Sequence, residues 1–285
     1  MSTFKEIKKR INAIKSTRKT TSAMKMVSSS KLMKAESVMK AMSCYAEEIR
    51  RILLALLTNG YSGSLSLERP VQQVAIIAFS SDSSLCGAYN SNIAHLLQKT
   101  VNKYRESLDA NHIYVYTIGK KVYDFAKKTR IPVAQNFENL AGKTDYPTIT
   151  NLASSLIEKF EHKQLDRVEL LYYQFKSTGS QALVTRQLLP VILPVQEQQP
   201  IDYILEPSRE SLLKSLIPKS IQLQLFAALL SANASEHAAR MIAMQTATDN
   251  ADDLVSELTI EYNKSRQQAI TNELLDIVGG SVKST

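Results

Sequence analysis

The 285 residues carry 35 Lys and Arg against 27 Asp and Glu, with a hydrophobic content of 44% that suits a globular chain. Cys44 and Cys86 lie far apart, the four His are scattered, and no apolar run reaches the length of a membrane span. That excludes a disulfide framework, a sequence-local His/Cys metal site and a spanning helix. The basic excess is local: Lys and Arg outnumber acids 13 to 4 in residues 1–58, whereas acids outnumber them 10 to 7 in residues 206–285. An acidic partner for the N-terminal segment is therefore expected.

Residues 1–59 contain neither Gly nor Pro. A helix of that length spans roughly 90 Å, and helices so long need a partner along them. Ile7, Ile11 and Ile14 open a heptad frame that continues through Leu32, Ala35, Met39, Met42, Ala46, Ile49, Leu53 and Leu56. In between, the same frame reads Arg18, Thr21, Lys25 and Ser28, inside the acid-free, hydroxyl-rich segment KSTRKTTSAMKMVSSSK (15–31). The apolar seam is expected to fail there.

Strand and helix then alternate. VAIIAF (74–79) predicts a buried strand and residues 90–107 an amphipathic helix. Strands follow at 112–118 and 132–137, with helices at 120–129 and 147–160. Residues 168–175 and 182–191, around a Thr-Gly-Ser turn, predict an antiparallel hairpin at the sheet edge. Residues 219–278 again lack Gly and Pro and are rich in Ala, which favours helix and lets a partner approach closely. Leu254, Leu258, Tyr262 and Ala269 extend an apolar stripe, and Gly279-Gly280 is expected to end the helix. The fold expected is α/β: a long antiparallel coiled coil of N-terminal (1–59) and C-terminal (208–280) helices around a central open, Rossmann-like α/β domain (70–205).

An open α/β sheet invites a nucleotide site, but the first strand-to-helix turn, SSDSSLCGAYN (80–90), has one glycine and no phosphate-loop pattern. IGKK (118–121) meets the same objection. A scaffold is favoured over a nucleotide binder. Cys86 has no His or acid beside it in sequence, and Glu47-Glu48 and Asp252-Asp253 read as solvated helix faces. The basic segment could contact nucleic acid, yet it has no aromatic for base stacking and no binding module. A protein partner with acidic loops remains beside that alternative.

The stretches ASEHAARMIAMQTATDNADDL (234–254) and YNKSRQQAITNELLDIVGG (262–280) closely resemble the gamma subunits of F-type ATP synthases. IKKRINAIKSTRKTTSAMKMVSSSKLMKAE (7–36), SSLCGAYN (83–90) and DYILEP (202–207) resemble that family's N-terminal helix, internal turn and C-terminal entry. Thr20, Ala88 and Gly280 depart from the family pattern. The resemblance implies a rotor shaft inside a hexamer of alpha and beta subunits, with epsilon and the membrane ring (the c-ring) at its foot. It implies no catalytic residue, cofactor, metal or nucleic acid, and no direct membrane insertion. By matching positions it implies beta-subunit contacts at Met24, Lys25, Cys86, Arg240, Arg266, Gln267, Thr271 and Glu273, with Arg240 also able to hold the helix pair together. Ring contacts would fall at Tyr203 and Glu206. No transit-type leader is apparent, so the expected place is the cytoplasmic face of a bacterial inner membrane.

Overall fold

A computed structural model of the chain describes residues 4–56, 63–138, 140–192, 205–206 and 208–282. Tyr203 lies outside the described residues. Two compact units form: Ser29–Ala239, and the residues up to Ser28 together with those from Arg240 onward. The helices α1 (Phe4–Leu56) and α5 (Arg209–Val282) each contribute a segment to both.

The Ser29–Ala239 unit is built on a five-stranded sheet. Its elements in chain order are β1 (Val74–Phe79), α2 (Tyr89–Arg105), β2 (Ile113–Ile118), α3 (Lys120–Lys128), β3 (Val133–Phe137), α4 (Tyr146–Glu161), β4 (Arg167–Ser177) and β5 (Ser180–Leu189). The strand order is β3-β2-β1-β4-β5. All neighbours are parallel except β4 and β5, the expected edge hairpin.

Every residue of β1 is buried because the strand feeds two cores. Val74, Ile76 and Ala78 face Ile93, Leu97 and Val101 of α2 and Val122 and Ala126 of α3. The alternate residues Ala75, Ile77 and Phe79 join Ile149, Leu152, Leu156 and Phe160 of α4. A continuous apolar run is what a strand covered on both faces requires. The α4 start is also written in sequence: the Asp145 carboxylate accepts from the Thr148 amide (3.4 Å) and hydroxyl (2.8 Å), and Pro147 sits in the first turn.

Leu53 and Leu56 of α1 and Leu213, Ile217, Ile221 and Phe226 of α5 complete the α4-side core. The Arg209 guanidinium, in the first turn of α5, donates to the Leu56 carbonyl that ends α1. The Lys219 ammonium stands 5.8 Å over the Tyr45 ring. As the numbers rise on one helix they fall on the other, so these segments run antiparallel. Helix α5 passes through Pro218, which has no N–H to offer the preceding turn.

In the other unit the two helices also pair antiparallel. Ile7 and Ile11 pack on Leu258, with Ile14 and Tyr262 alongside. Next along come the Arg18–Asp252 ion pair and the Thr21–Thr248 hydroxyl pair. This corrects the expected failure of the seam. Thr21 and Ser28 are buried at their heptad positions, with Ser28 only 2% exposed. Each hydroxyl is satisfied within reach: Thr21 bonds to the Arg18 carbonyl and to Thr248, and Ser28 to the Met24 carbonyl. The frame persists at Thr21 and Ser28 in hydroxyl chemistry, while Arg18 is exposed and Lys25 half-buried. Two smaller expectations also change. Leu254 is exposed rather than in the stripe, and α5 continues through Gly279-Gly280 to Val282.

Candidate functional site

The strand order reverses between β1 and β4, and in such sheets ligands bind at the carboxyl ends of the strands beside that reversal. Here the place is filled by the chain itself. The first amides of α3, which could otherwise cradle an anion, are taken up by the turn after β1. The Lys120 N–H donates to the Asp82 carboxylate (3.0 Å), that of Lys121 to the Ser81 carbonyl (3.1 Å) and that of Val122 to Ser80 Oγ (3.0 Å). Gly119 permits this approach: its φ is +96°, and a Cβ there would lie 2.3 Å from the Ser80 carbonyl oxygen. Within the turn, Asn90 Oδ1 accepts from the Ser81 amide (3.1 Å), and its Nδ2 donates to Cys86 Sγ (3.0 Å).

On the β4 side, the pairing with β1 ends at Leu171, so the rest of β4 is bonded only to β5 among the strands. Helix α5 takes over the vacant side. The Phe175 amide donates to Ser231 Oγ (2.8 Å), and the Tyr173 carbonyl accepts from Ser231 (3.3 Å) and Ser235 (3.2 Å). The Tyr89 ring stacks on Tyr173 at 4.8 Å, and its hydroxyl donates to the Ala232 carbonyl (3.1 Å). Burial, and after it the Glu236 carboxylate, push the Tyr89 phenol well above its usual range, so it stays a donor across ordinary pH. Across the helix, Asn233 Oδ1 accepts from the Gly142 amide (3.0 Å) and its Nδ2 donates to the Lys143 carbonyl (3.2 Å). The crevice that would receive a nucleotide holds a helix.

Met24 and Lys25 are half-buried on α1, and Arg266, Gln267, Thr271 and Glu273 are exposed on the last turns of α5. Glu206 is exposed in a bend just before α5. Arg240 is buried, so of its two expected roles the inward one fits its place. Cys86 requires a correction. Its side chain is 1% exposed and packed among the α2-side core, so the thiol is not presented to a partner. Ser83, Ser84, Leu85, Gly87 and Ala88 of the turn are exposed, Leu85 being the large apolar one, at φ +69°. Met24, Lys25, Arg266, Gln267, Thr271 and Glu273 lie along helices at half-buried or exposed positions, whereas Arg240 and Cys86 are buried.

Sequence reasoning missed two things. Ser231, Asn233 and Ser235 stand two apart, which is no single helix face, inside an Ala-rich run. That spacing signals a helix gripped from several sides. Ile260, Ile270, Leu274 and Leu275 are exposed, as are Met26 and Val27. An apolar stripe away from the Leu258–Tyr262 side of α5 was the signal for them. Among the described residues, no cluster of His, Cys, Asp or Glu could hold a metal and no helix is long and apolar enough to cross a membrane.

The family model described as ATP synthase matches residues 3–282. The ATP synthase gamma chain of Bacteroides fragilis is 48% identical, covering 99% of this chain and 100% of its own. That of Geobacter metallireducens is 38% identical, covering 99% and 98%. A chain in the rotor structure of the Euglena gracilis mitochondrial ATP synthase superimposes with a TM-score of 0.67 at 17% identity, covering 94% of this chain and 98% of its own; it shares the fold. The full-length likeness to these gamma chains carries the assignment: this chain belongs to the ATP synthase gamma chain family.

Proposed function

We propose that this chain is the central shaft between a proton-driven ring in the membrane and an alpha–beta hexamer that makes ATP. It works peripherally, at the cytoplasmic face of a bacterial membrane. The antiparallel helix pair, as a coiled coil, turns inside the hexamer, while the α/β sheet unit stands at the foot with epsilon and the ring. Rotation changes the beta sites in sequence, because a shaft face biases a site only by touching its open and closed states unequally.

The observation that carries this reading is the exposed side of the helix ends. Ile260 is 71% exposed on the same helix as exposed Arg266, Gln267, Thr271 and Glu273, and Met26 on α1 is 65% exposed. Large apolar groups left in water along a helix suit burial in an assembly. Charged and amide groups among them suit contacts that break and re-form, since exposed ion pairs contribute only about 0–1 kcal/mol each. Met24, Lys25, Arg266, Gln267, Thr271 and Glu273 are the proposed beta contacts; Arg240 holds the pair, and Leu85 takes the place expected of Cys86. Glu206 and Tyr203 are the proposed ring contacts.

Reconstitution with alpha and beta subunits from the same source tests this. One copy should enter each hexamer and multisite ATPase should appear. Arg266→Ala should then weaken assembly or coupling at least several-fold more than Lys264→Ala. No co-elution and unchanged ATPase would overturn the shaft reading and return attention to nucleic acid.

A further inference from the structure

From Ala228 to Ala238 helix α5 is buried on every side, eleven residues in a row. A helix enclosed in this way needs only apolar or small side chains. Yet this stretch includes Ser231, Asn233 and Ser235, buried and bonded to the backbone of separate segments of the sheet unit. Ser231 and Ser235 share one face, being one helical turn apart, and replace the strand partner that β4 loses beyond Leu171. Asn233 lies about 200° around the helix from Ser231. There its amide reads the N–H of Gly142 and the carbonyl of Lys143, as a neighbouring strand would. Tyr89 adds a third point at the Ala232 carbonyl.

Apolar packing is non-directional, so by itself it resists separation better than rotation or sliding. Hydrogen bonds weaken steeply with distance and angle. Bonds on opposite sides of a cylinder oppose rotation in either sense. We infer that Ser231, Asn233 and Ser235, with Tyr89, form a clamp that locks the rotation and register of α5 on the sheet unit, and that torque passes between them at this joint. The inference rests on the shaft reading for its torque, but the lock itself is a property of the free chain. These are positioning residues and touch no nucleotide.

The test has two arms. In the free chain, Ser231→Ala should speed amide exchange at Phe175 at least ten-fold, while the neighbouring amides paired with β5 keep their rates. In complexes with alpha and beta, a bead on the sheet unit reports rotation. The triple variant Ser231→Ala, Asn233→Ala, Ser235→Ala should hydrolyse ATP without load within two-fold of the parent, yet deliver less than half its torque against a viscous load. Equal torque would overturn the inference, as would unchanged exchange at Phe175. If the triple variant fails to fold, Ser235→Ala, which removes one of two bonds to the Tyr173 carbonyl, is read by the same criteria. A parent chain that never joins alpha and beta would sink the shaft reading instead, leaving the exchange arm to decide the lock.

Discussion

Residues 228–238 and 260–275 lie on one uninterrupted helix and have opposite surroundings. The first stretch is buried all round by the sheet unit. The second half-buries Tyr262, Ser265 and Ala269 and leaves Ile260, Ile270, Leu274 and Leu275 in water. Helix propensity does not explain the difference, since both stretches consist largely of adequate helix formers. The source of burial does. One stretch is stabilised by its own chain, and the other has apolar surface for something outside the chain to cover.

That contrast can be broken most directly by truncation. Phe226, two residues before the first stretch and in the same core as Leu229 and Leu230, is buried and meets the Tyr146 ring edge-on at 5.0 Å. Phe226→Ala should lower the unfolding free energy of the isolated chain by about 3–5 kcal/mol, the usual cost of a large core cavity. Ile260→Ala removes a side chain that is mostly in water already, so the same measurement should move by no more than about 0.5 kcal/mol. Its effect should appear on assembly with alpha and beta. If the two variants destabilise the free chain equally, the source of burial is not what separates the stretches.

Local chemistry explains what was legible in sequence. β1 could be read because a strand buried on both faces is apolar without interruption, and α1 because its heptad frame runs from Ile7 to Leu56. The hydroxyl stretch was misjudged because pattern reading scores Thr21 and Ser28 as polar. A hydroxyl that can bond back to the preceding turn is small enough, and satisfied enough, to sit in a seam. The spacing of Ser231, Asn233 and Ser235 marked a gripped helix, but what grips it was illegible for a different reason. Ser231 and Ser235 answer backbone groups exposed by the length mismatch between β4 and β1, and that mismatch appears only once the strands are paired. Cys86 was misplaced because membership of a turn does not reveal which side chains of the turn face inward.

The hydroxyl seam offers a finer comparison with the apolar ends of the same frame. Thr248 Oγ1 lies within bonding reach of both Thr21 Oγ1 and the Met244 carbonyl (2.7 Å), and its one proton can go to the carbonyl, so losing Thr21 does not strand it. Thr21→Val alone should therefore cost no more than about 1 kcal/mol. Thr21→Val with Thr248→Val replaces both partners by groups of the same shape, which should be neutral or stabilising. Unfolding of the two single variants and the double decides this. A double variant clearly less stable than the parent would show that the hydroxyl pair, rather than the shape it fills, holds the seam there.

A small effect should come from Arg18 and Asp252, although their separation of 2.6 Å is the shortest among the described ion pairs. Their side chains are 47% and 49% exposed, so water competes for both charges and each long side chain loses freedom in pairing. A double-mutant cycle with Arg18→Gln and Asp252→Asn should give a coupling of about 0–1 kcal/mol at low salt. It should shrink further at 1 M salt, where the screening length falls to about 3 Å. Close geometry alone would have suggested a strong bond. A coupling above about 2 kcal/mol that survives salt would mean the pair is shielded from water. The basic segment would then be tied to its partner helix by charge, and it could not offer Arg18 to an acidic partner without first breaking the helix pair.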